Sequence, residues 1–293
     1  MNRLHAAPAF RPSIVALTLV CALTLCKDSS LAGRIELPIF DAHIHYNHDV
    51  RESVPPKEAI ARLRKAGVMR ALVSSSGDEG TQSLREEAPD LIIPELRPYR
   101  ANGETGSWFR DDSVIEYLRG RLNRYRYVAI GEFHVSGTDA DLPVVRALVQ
   151  LAKRHGLMLH AHSDADAVER MFGQDSDARI LWAHGGYEKP ARIREMLLRY
   201  HSLWPELSSR DDMLSNGRLA EEWRAILLEF PDRFMIGTDT HRPERWDTIA
   251  ANAASARDWL GELPAEVAER LAYQNGESLI TAEFSQKRAL RSP

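Results

Sequence analysis

The strongest constraint on this chain is an alternation that begins after residue 33 and runs nearly to its end. Short apolar runs rich in Ile, Val, Leu and Phe are each followed by a longer segment of helical character. The strand candidates are IFDAHIH (39–45), RALVSSS (70–76), LIIPELRPY (91–99), YVAIGEFHV (127–135), LMLHAHS (157–163), ILWAHGG (180–186), SLWPELSS (202–209) and FMIGTDTH (234–241). The segments between them are amphipathic. In DLPVVRALVQLAKRHG, Val144, Val145, Leu148, Leu151 and Ala152 share one helix face, and Gly156 stands where a C-terminal cap belongs. Strands alternating with helices pair in parallel, because each crossover needs room for a helix. Eight such units within 293 residues predict an α/β fold, a closed (β/α)8 TIM barrel, with an open doubly wound sheet as the competing architecture. No linker or low-complexity tract divides the chain, so a single domain is expected over 33–293. The tail PAEVAERLAYQNGESLI reads as a last helix on the barrel's outside.

The first residues follow different rules. Arg3 and Arg11 precede the uncharged run SIVALTLVCALTLC, and small residues around Ser30 and Ala32 follow. That is the pattern of a secretory signal peptide over 1–32, cleaved after Ala32, and it predicts a periplasmic or secreted protein without stable membrane association after cleavage. An uncleaved anchor is the alternative, but the run is shorter than the roughly 20 residues a spanning helix needs. Lipid attachment at Cys26 is disfavoured by the bulky Leu25 before it. Both cysteines, Cys21 and Cys26, fall inside this segment, so any metal in the mature chain must be held by His, Asp or Glu. A formal charge of −4, from 38 basic and 42 acidic residues, argues against a nucleic-acid partner and leaves a small molecule as the expected substrate. The oligomeric state is not written in the sequence.

Chemistry in a parallel barrel gathers at the C-terminal ends of the strands. Here those ends are crowded with metal-capable residues: His43 and His45, Glu132 and His134, His160 and His162, His184, and Asp239 and His241. Of the 11 histidines, only His5, His48, His155 and His201 lie elsewhere. Taken singly, each residue has a plainer explanation. His184 could be a hydrogen-bonded core histidine, Asp239 could cap a turn, and Glu132 could pair with an arginine. Together, five strand ends aiming imidazoles and carboxylates at one mouth satisfy one another best around a cation.

These segments resemble the amidohydrolase superfamily of metal-dependent hydrolases. IFDAHIH resembles its first-strand H-x-H motif, and YVAIGEF the strand-4 segment of its TatD-like branches, whose glutamate can bridge two metals. GLMLHAHSDADA resembles the strand-5 segment, ILWAHGG the strand-6 histidine segment, MIGTDT the strand-8 aspartate segment, and LAYQNGESLI the closing helix. The resemblance spans roughly 39–282. It implies a divalent cation, zinc first among the candidates and one or two ions in number, held by His43, His45, Glu132, His162, His184 and Asp239. It makes Asp239 the catalytic group that orients a water and takes its proton, and leaves His160 on the inner wall or behind the ligands. No lysine lies in strand 4, so the carbamylated-lysine bridge of some branches is excluded.

Substrate contacts are expected from Arg97, His160 and His241. Arg97 could clamp a carboxylate or phosphate, or pair with Glu95 or another acid. Glu206, Ser208 and Arg210 stand within range of the pocket, Trp108 and Trp204 could flank a ring, and Asn102–Trp108 could form a lid. The reaction expected is hydrolysis of an ester, lactone, amide or related bond. The rivals are a metal-dependent decarboxylase on the same barrel, a TatD-like nuclease, and a non-catalytic exported metal-binding protein. No G-x-G-x-x-G, G-x-x-x-x-G-K-[ST] or G-x-S-x-G motif supports a nucleotide or serine-hydrolase reading.

Overall fold

A computed structural model of the chain describes Met1 and residues 37–281. All of the expected signal segment, 1–32, except Met1 lies outside the described residues. The chain divides into Met1–Ile35 and a unit from Glu36 to Pro293, and every element named below belongs to the second.

Seven strands form one parallel sheet in chain order: β1 (Ile39–His45), β2 (Val68–Ser74), β3 (Ile92–Leu96), β4 (Ala129–His134), β5 (Met158–His162), β6 (Ile180–Trp182) and β7 (Leu203–Pro205). Around them run α1 (His48–Ser53), α2 (Pro56–Lys65), α3 (Glu79–Glu87), α4 (Ser113–Arg124), α5 (Pro143–His155), α6 (Ala165–Gln174), α7 (Pro190–Arg199), α8 (Glu221–Glu229), α9 (Pro243–Leu260) and α10 (Ala265–Glu269). α5 buries Val144, Val145, Leu148, Leu151 and Ala152, and Gly156 caps it in the left-handed region. Among the described residues no helix is long and apolar enough to cross a membrane.

The eighth expected strand, 234–241, forms only isolated bridges, Met235 to Glu206 on one side and Thr240 to Ile44 on the other. The segment still closes the ring. Leu207 N–H donates to Met235 O (3.0 Å), Ala42 N–H to Ile236 O (2.9 Å) and His45 N–H to Thr240 O (2.8 Å). Asp239 sits at φ 48°, in the left-handed region, which interrupts the pleat between those bonds. β6 ends early for the same reason, with His184, Gly185 and Gly186 all at positive φ. The rim carrying the polar residues is therefore the least regular part of the barrel.

Inside the barrel, Phe40, Ala42, Leu72, Ile93, Val128, Ala129, Met158, Leu181 and Met235 form an apolar floor. The tail over 264–280 was expected as a helix on the outside of the barrel. It winds after α10 into π-helical turns, Arg270–Gln274 and Glu277–Thr281, and inserts Ile280 into this floor. The face of the floor residues is apolar, and a plug at the bottom buries it.

Candidate metal centre

One layer above the floor the same strands turn polar. In β1 the alternation of faces breaks: Phe40 and Ala42 join the floor, while Ile44 packs outside with Val73 and Trp246. The pairing of β1 with β2 shifts register between Asp41 and Ile44. Such an irregularity re-aims side chains, and here it brings His43 and His45 inward above Phe40 and Ala42. β4 carries a similar shift between Gly131 and Phe133, bracketing Glu132. Two close approaches hold this layer together. A Cβ on Gly131 would lie 2.3 Å from His160 O, and one on Gly237 would lie 2.1 Å from Glu206 Oε1. Asp41 is fully buried and ties β1 to the closing segment, accepting from His43 N–H (3.1 Å), Thr238 N–H (3.0 Å) and Thr238 Oγ1 (2.7 Å). Burial pushes its carboxyl up to about 7 despite those bonds.

The donor atoms converge. His43 Nε2 and His45 Nε2 stand 3.0 Å apart. Glu132 Oε1 lies 3.4 Å from the first and Oε2 lies 3.2 Å from the second. Asp239 Oδ1 is 3.6 Å from His43 Nε2 and 3.7 Å from His45 Nε2. His162 Nδ1 reaches Glu132 Oε1 at 2.9 Å, and His184 Nε2 approaches the same oxygen at 3.7 Å. The ligand-type atoms of His43, His45 and Asp239 lie within 4.8 Å of one another. So do those of Glu132, His134 and His162, and those of His43, His184 and Glu206.

The groups behind the imidazoles determine which nitrogens face this centre. His184 Nδ1 is 2.9 Å from the carbonyl oxygen of Ser208, which can only accept, so Nδ1 carries the proton and Nε2 keeps its lone pair. His43 Nδ1 lies 2.8 Å from Glu206 Oε2, and His45 Nδ1 lies 2.9 Å from Ser74 Oγ. Each ring thus has a partner on its far side and turns Nε2 toward the centre, the arrangement that orients metal-binding histidines. Burial raises a carboxyl's pKa, but His43 and the hydrogen bonds from His162 and His184 hold Glu132 well below the ordinary range. Asp239 is likewise held low, by the His241 hydrogen bond and by His43, against the effect of burial. Burial would depress His43, yet Glu132, Glu206 and Asp239 raise it well above its ordinary value. His45 is lowered by burial and by Arg97. Lone pairs and carboxylate oxygens facing each other at these distances are a donor set that fits a divalent cation with N/O preference.

The structure redirects some of the expected residues. Arg97 is buried and its fork is occupied: Nη2 bonds Glu132 Oε2 and Nε bonds Glu132 O, both at 3.1 Å. It pairs with an acid of the centre through Nε and Nη2. His160, expected near substrate, is fully buried beneath His43, with its Nδ1 3.0 Å from Glu95 Oε1 and the ring centroids 4.6 Å apart. Regular alternation along β5 puts His162 one step nearer the mouth. His241 stays at the rim, partly exposed, with Nδ1 3.2 Å from Asp239 Oδ1. Trp108 is buried and donates through Nε1 to His134 O (2.9 Å), so it pins the 102–108 insert to the end of β4. Trp204 packs against the floor.

Sequence reasoning did not pick out Ser74 or Tyr187, and it placed Glu206 only near the pocket. Tyr187 is half exposed, sits at φ 55°, and stacks on His184 with centroids 4.8 Å apart and planes at 20°. An aromatic directly after the His-Gly-Gly turn was the available signal. Nothing local foretold that Glu206 would meet His43 from a strand so far away in sequence.

No family model and no curated protein sequence matches the chain. Solved structures do. An uncharacterised TIM-barrel protein from Bordetella bronchiseptica superposes with a TM-score of 0.56 at 14% identity, covering 85% of this chain and 100% of that one. A protein named as probable 2-pyrone-4,6-dicarboxylic acid hydrolase, from Acinetobacter baumannii, gives 0.54 at 12% identity, covering 83% of this chain and 99% of its own. The β-aspartyl dipeptidase of Fervidobacterium islandicum gives 0.52 at 14% identity, covering 84% and 73%. At such identities the likeness establishes the fold: the chain is a TIM-barrel protein, similar in architecture to hydrolytic enzymes.

Proposed function

We propose that the protein is a metal-dependent hydrolase acting on a small-molecule ester, lactone, amide or related bond. One observation carries this reading: the Nε2 atoms of His43 and His45, 3.0 Å apart, each have a Glu132 oxygen at 3.2–3.4 Å and Asp239 Oδ1 at 3.6–3.7 Å. His43, His45 and Asp239 would hold the cation, with His184 beside them and Glu132 and His162 on the opposite flank. Zinc is the first candidate, and the donor set also suits Mn, Fe or Ni. Arg97 already supplies a positive charge to Glu132, which favours one ion over two. A divalent cation there supplies Lewis-acid polarisation of the scissile carbonyl and acidifies a water at neutral pH.

The chain's own groups do the rest. Asp239, kept ionised, accepts the proton of the attacking water. Ser209 Oγ, 3.3 Å from Oδ2, and His241 Nδ1, 3.2 Å from Oδ1, fix that carboxylate's plane. Glu206 and Ser74 hold the two β1 imidazoles in orientation. Tyr187 offers an aromatic face to a substrate lying across His184 and His162.

The test is a panel of esters, lactones, amides and phosphoesters assayed before and after chelation. Turnover that disappears with the metal and returns on readdition supports the reading. Turnover undiminished in the metal-free protein overturns it. Release of carbon dioxide from a carboxylated substrate with no hydrolysis product would move the assignment to a decarboxylase.

A further inference from the structure

A second cavity lies outside the barrel wall, between the closing segment, the loop after β7 and helix α9. It has a volume of about 430 Å³, within the range of small-molecule sites. Its walls include Leu207, Ile236 and Trp259, residues that pack outward from the barrel and inward from α9. None of the candidate metal ligands lines it, but Ser208 does, and its Oγ lies 3.0 Å from His184 Nδ1 and 3.3 Å from His43 Nδ1.

Its charge is what makes it a site. Two arginines line the cavity. Arg210 is neutralised, bonding Asp212 through Nε (2.8 Å) and Nη2 (2.7 Å) and donating to His184 O and Glu188 O. Arg245 is not. Among the described residues its guanidinium makes one hydrogen bond, from Nη2 to Thr238 O (2.6 Å), no carboxylate pairs with it, and its buried Nε has no partner. A guanidinium with idle donors at a cavity whose walls mix apolar and polar side chains calls for an acceptor that carries a negative charge. Asp211 also lines the cavity, but it is exposed at the mouth, where water and salt screen it.

We propose that this cavity binds a small monocarboxylate with an apolar body, its carboxylate on Arg245 and its body against Ile236, Leu207 and Trp259. One unpaired guanidinium matches one negative charge, which favours a carboxylate over a phosphate dianion. Asn252 adds an uncharged polar group to the wall. The occupant would sit beside the candidate centre, because Arg245 holds the carbonyl of Thr238, the residue before Asp239. Ser209 touches both the cavity and Asp239 Oδ2. The proposal does not rest on the hydrolase reading, and its test does not use turnover.

Phenylacetate, with 2-phenylethanol as its neutral counterpart and phenylalanine as its zwitterionic one, is titrated calorimetrically into the metal-loaded protein. The same titrations are made with Arg245→Met and with Ser255→Trp, which narrows the cavity from α9 and leaves the Arg245–Thr238 bond in place. Saturable phenylacetate binding is expected, weakened about tenfold or more in both variants and in the switch to 2-phenylethanol. If Arg245→Met fails to fold, Ser255→Trp gives the same reading. Binding of phenylacetate that both variants retain would place it elsewhere, for instance at the metal, and overturn the proposal. Absence of saturable binding, equal binding of the alcohol, or tighter binding of phenylalanine also overturns it.

Discussion

The floor and the mouth of this barrel are built from the same strands, one step apart, and they answer to different rules. On β5, Met158 belongs to the floor and His162 to the mouth. On β3, Ile93 lies below and Glu95 above, with Arg97 just past the strand's end. The floor is held by volume: its side chains fill the ring with no polar atom to satisfy, so a substitution of similar size and polarity should be tolerated. The mouth is held by partners: His43, His45 and His184 each have a specific acceptor or donor behind them, and isosteric changes that preserve shape should still be costly. The difference predicts which measurements each layer will move.

The largest effect should come from the mouth and leave the fold alone. Asp239→Asn is expected to lower kcat by about 10²- to 10⁴-fold, with a melting temperature close to wild type. Wild-type turnover in that variant would erase the distinction. The floor should give the reverse. Leu181→Ala removes a fully buried side chain and should cost about 2–5 kcal/mol of stability while the protein still binds its metal at full stoichiometry. Loss of metal binding without loss of stability would mean that the layers are not separable.

A smaller effect is expected one bond behind the ligands. Glu206→Gln keeps its shape but loses the charge facing His43 Nδ1. It should weaken the cation by about 10–100-fold, and an unchanged affinity would remove Glu206 from its supporting role. The smallest effect is a pH dependence of the metal-free protein. Glu132 is depressed in the fold, so its contribution to stability is full above its ordinary 4.5 and is lost as pH falls through the lowered value. His43 is raised, so its contribution is full below its ordinary 6.5 and is lost as pH rises through the raised value. Metal-free protein should therefore melt lower on the alkaline side. Cation loading, which requires neutral His43, should remove that decline. Identical alkaline profiles for the two forms would show that His43 is not at the centre.

The sequence made the repeating architecture legible because strand and helix periods differ and alternate so regularly. It made the mouth legible because histidines and carboxylates recur at strand ends. Helix α9 is hard to read because alanines stand on both its faces, Ala253 and Ala256 in the buried stripe with Trp246, Ile249, Trp259 and Leu260, and Ala251 and Ala254 exposed, which blurs the period. The eighth strand was over-read because FMIGTDTH has the apolar run of a strand, while its backbone turns left-handed at Asp239. Arg97 could not be assigned from its neighbours in sequence, since its partner comes from the next strand at a height set by the shift around Glu132. Alternation also fails at His43, where the register slips, so periodicity alone would have set Phe40 and His43 on opposite faces. Local patterns reveal elements; the partners arise only when the ring closes.

The most direct measurement is a crystal structure of the protein loaded with Zn²⁺ or Mn²⁺, with anomalous data collected at the metal edge. An anomalous peak about 2.0–2.2 Å from His43 Nε2, His45 Nε2 and an oxygen of Asp239 is the predicted result. A loaded and active protein whose metal peak lies away from these three residues would contradict it.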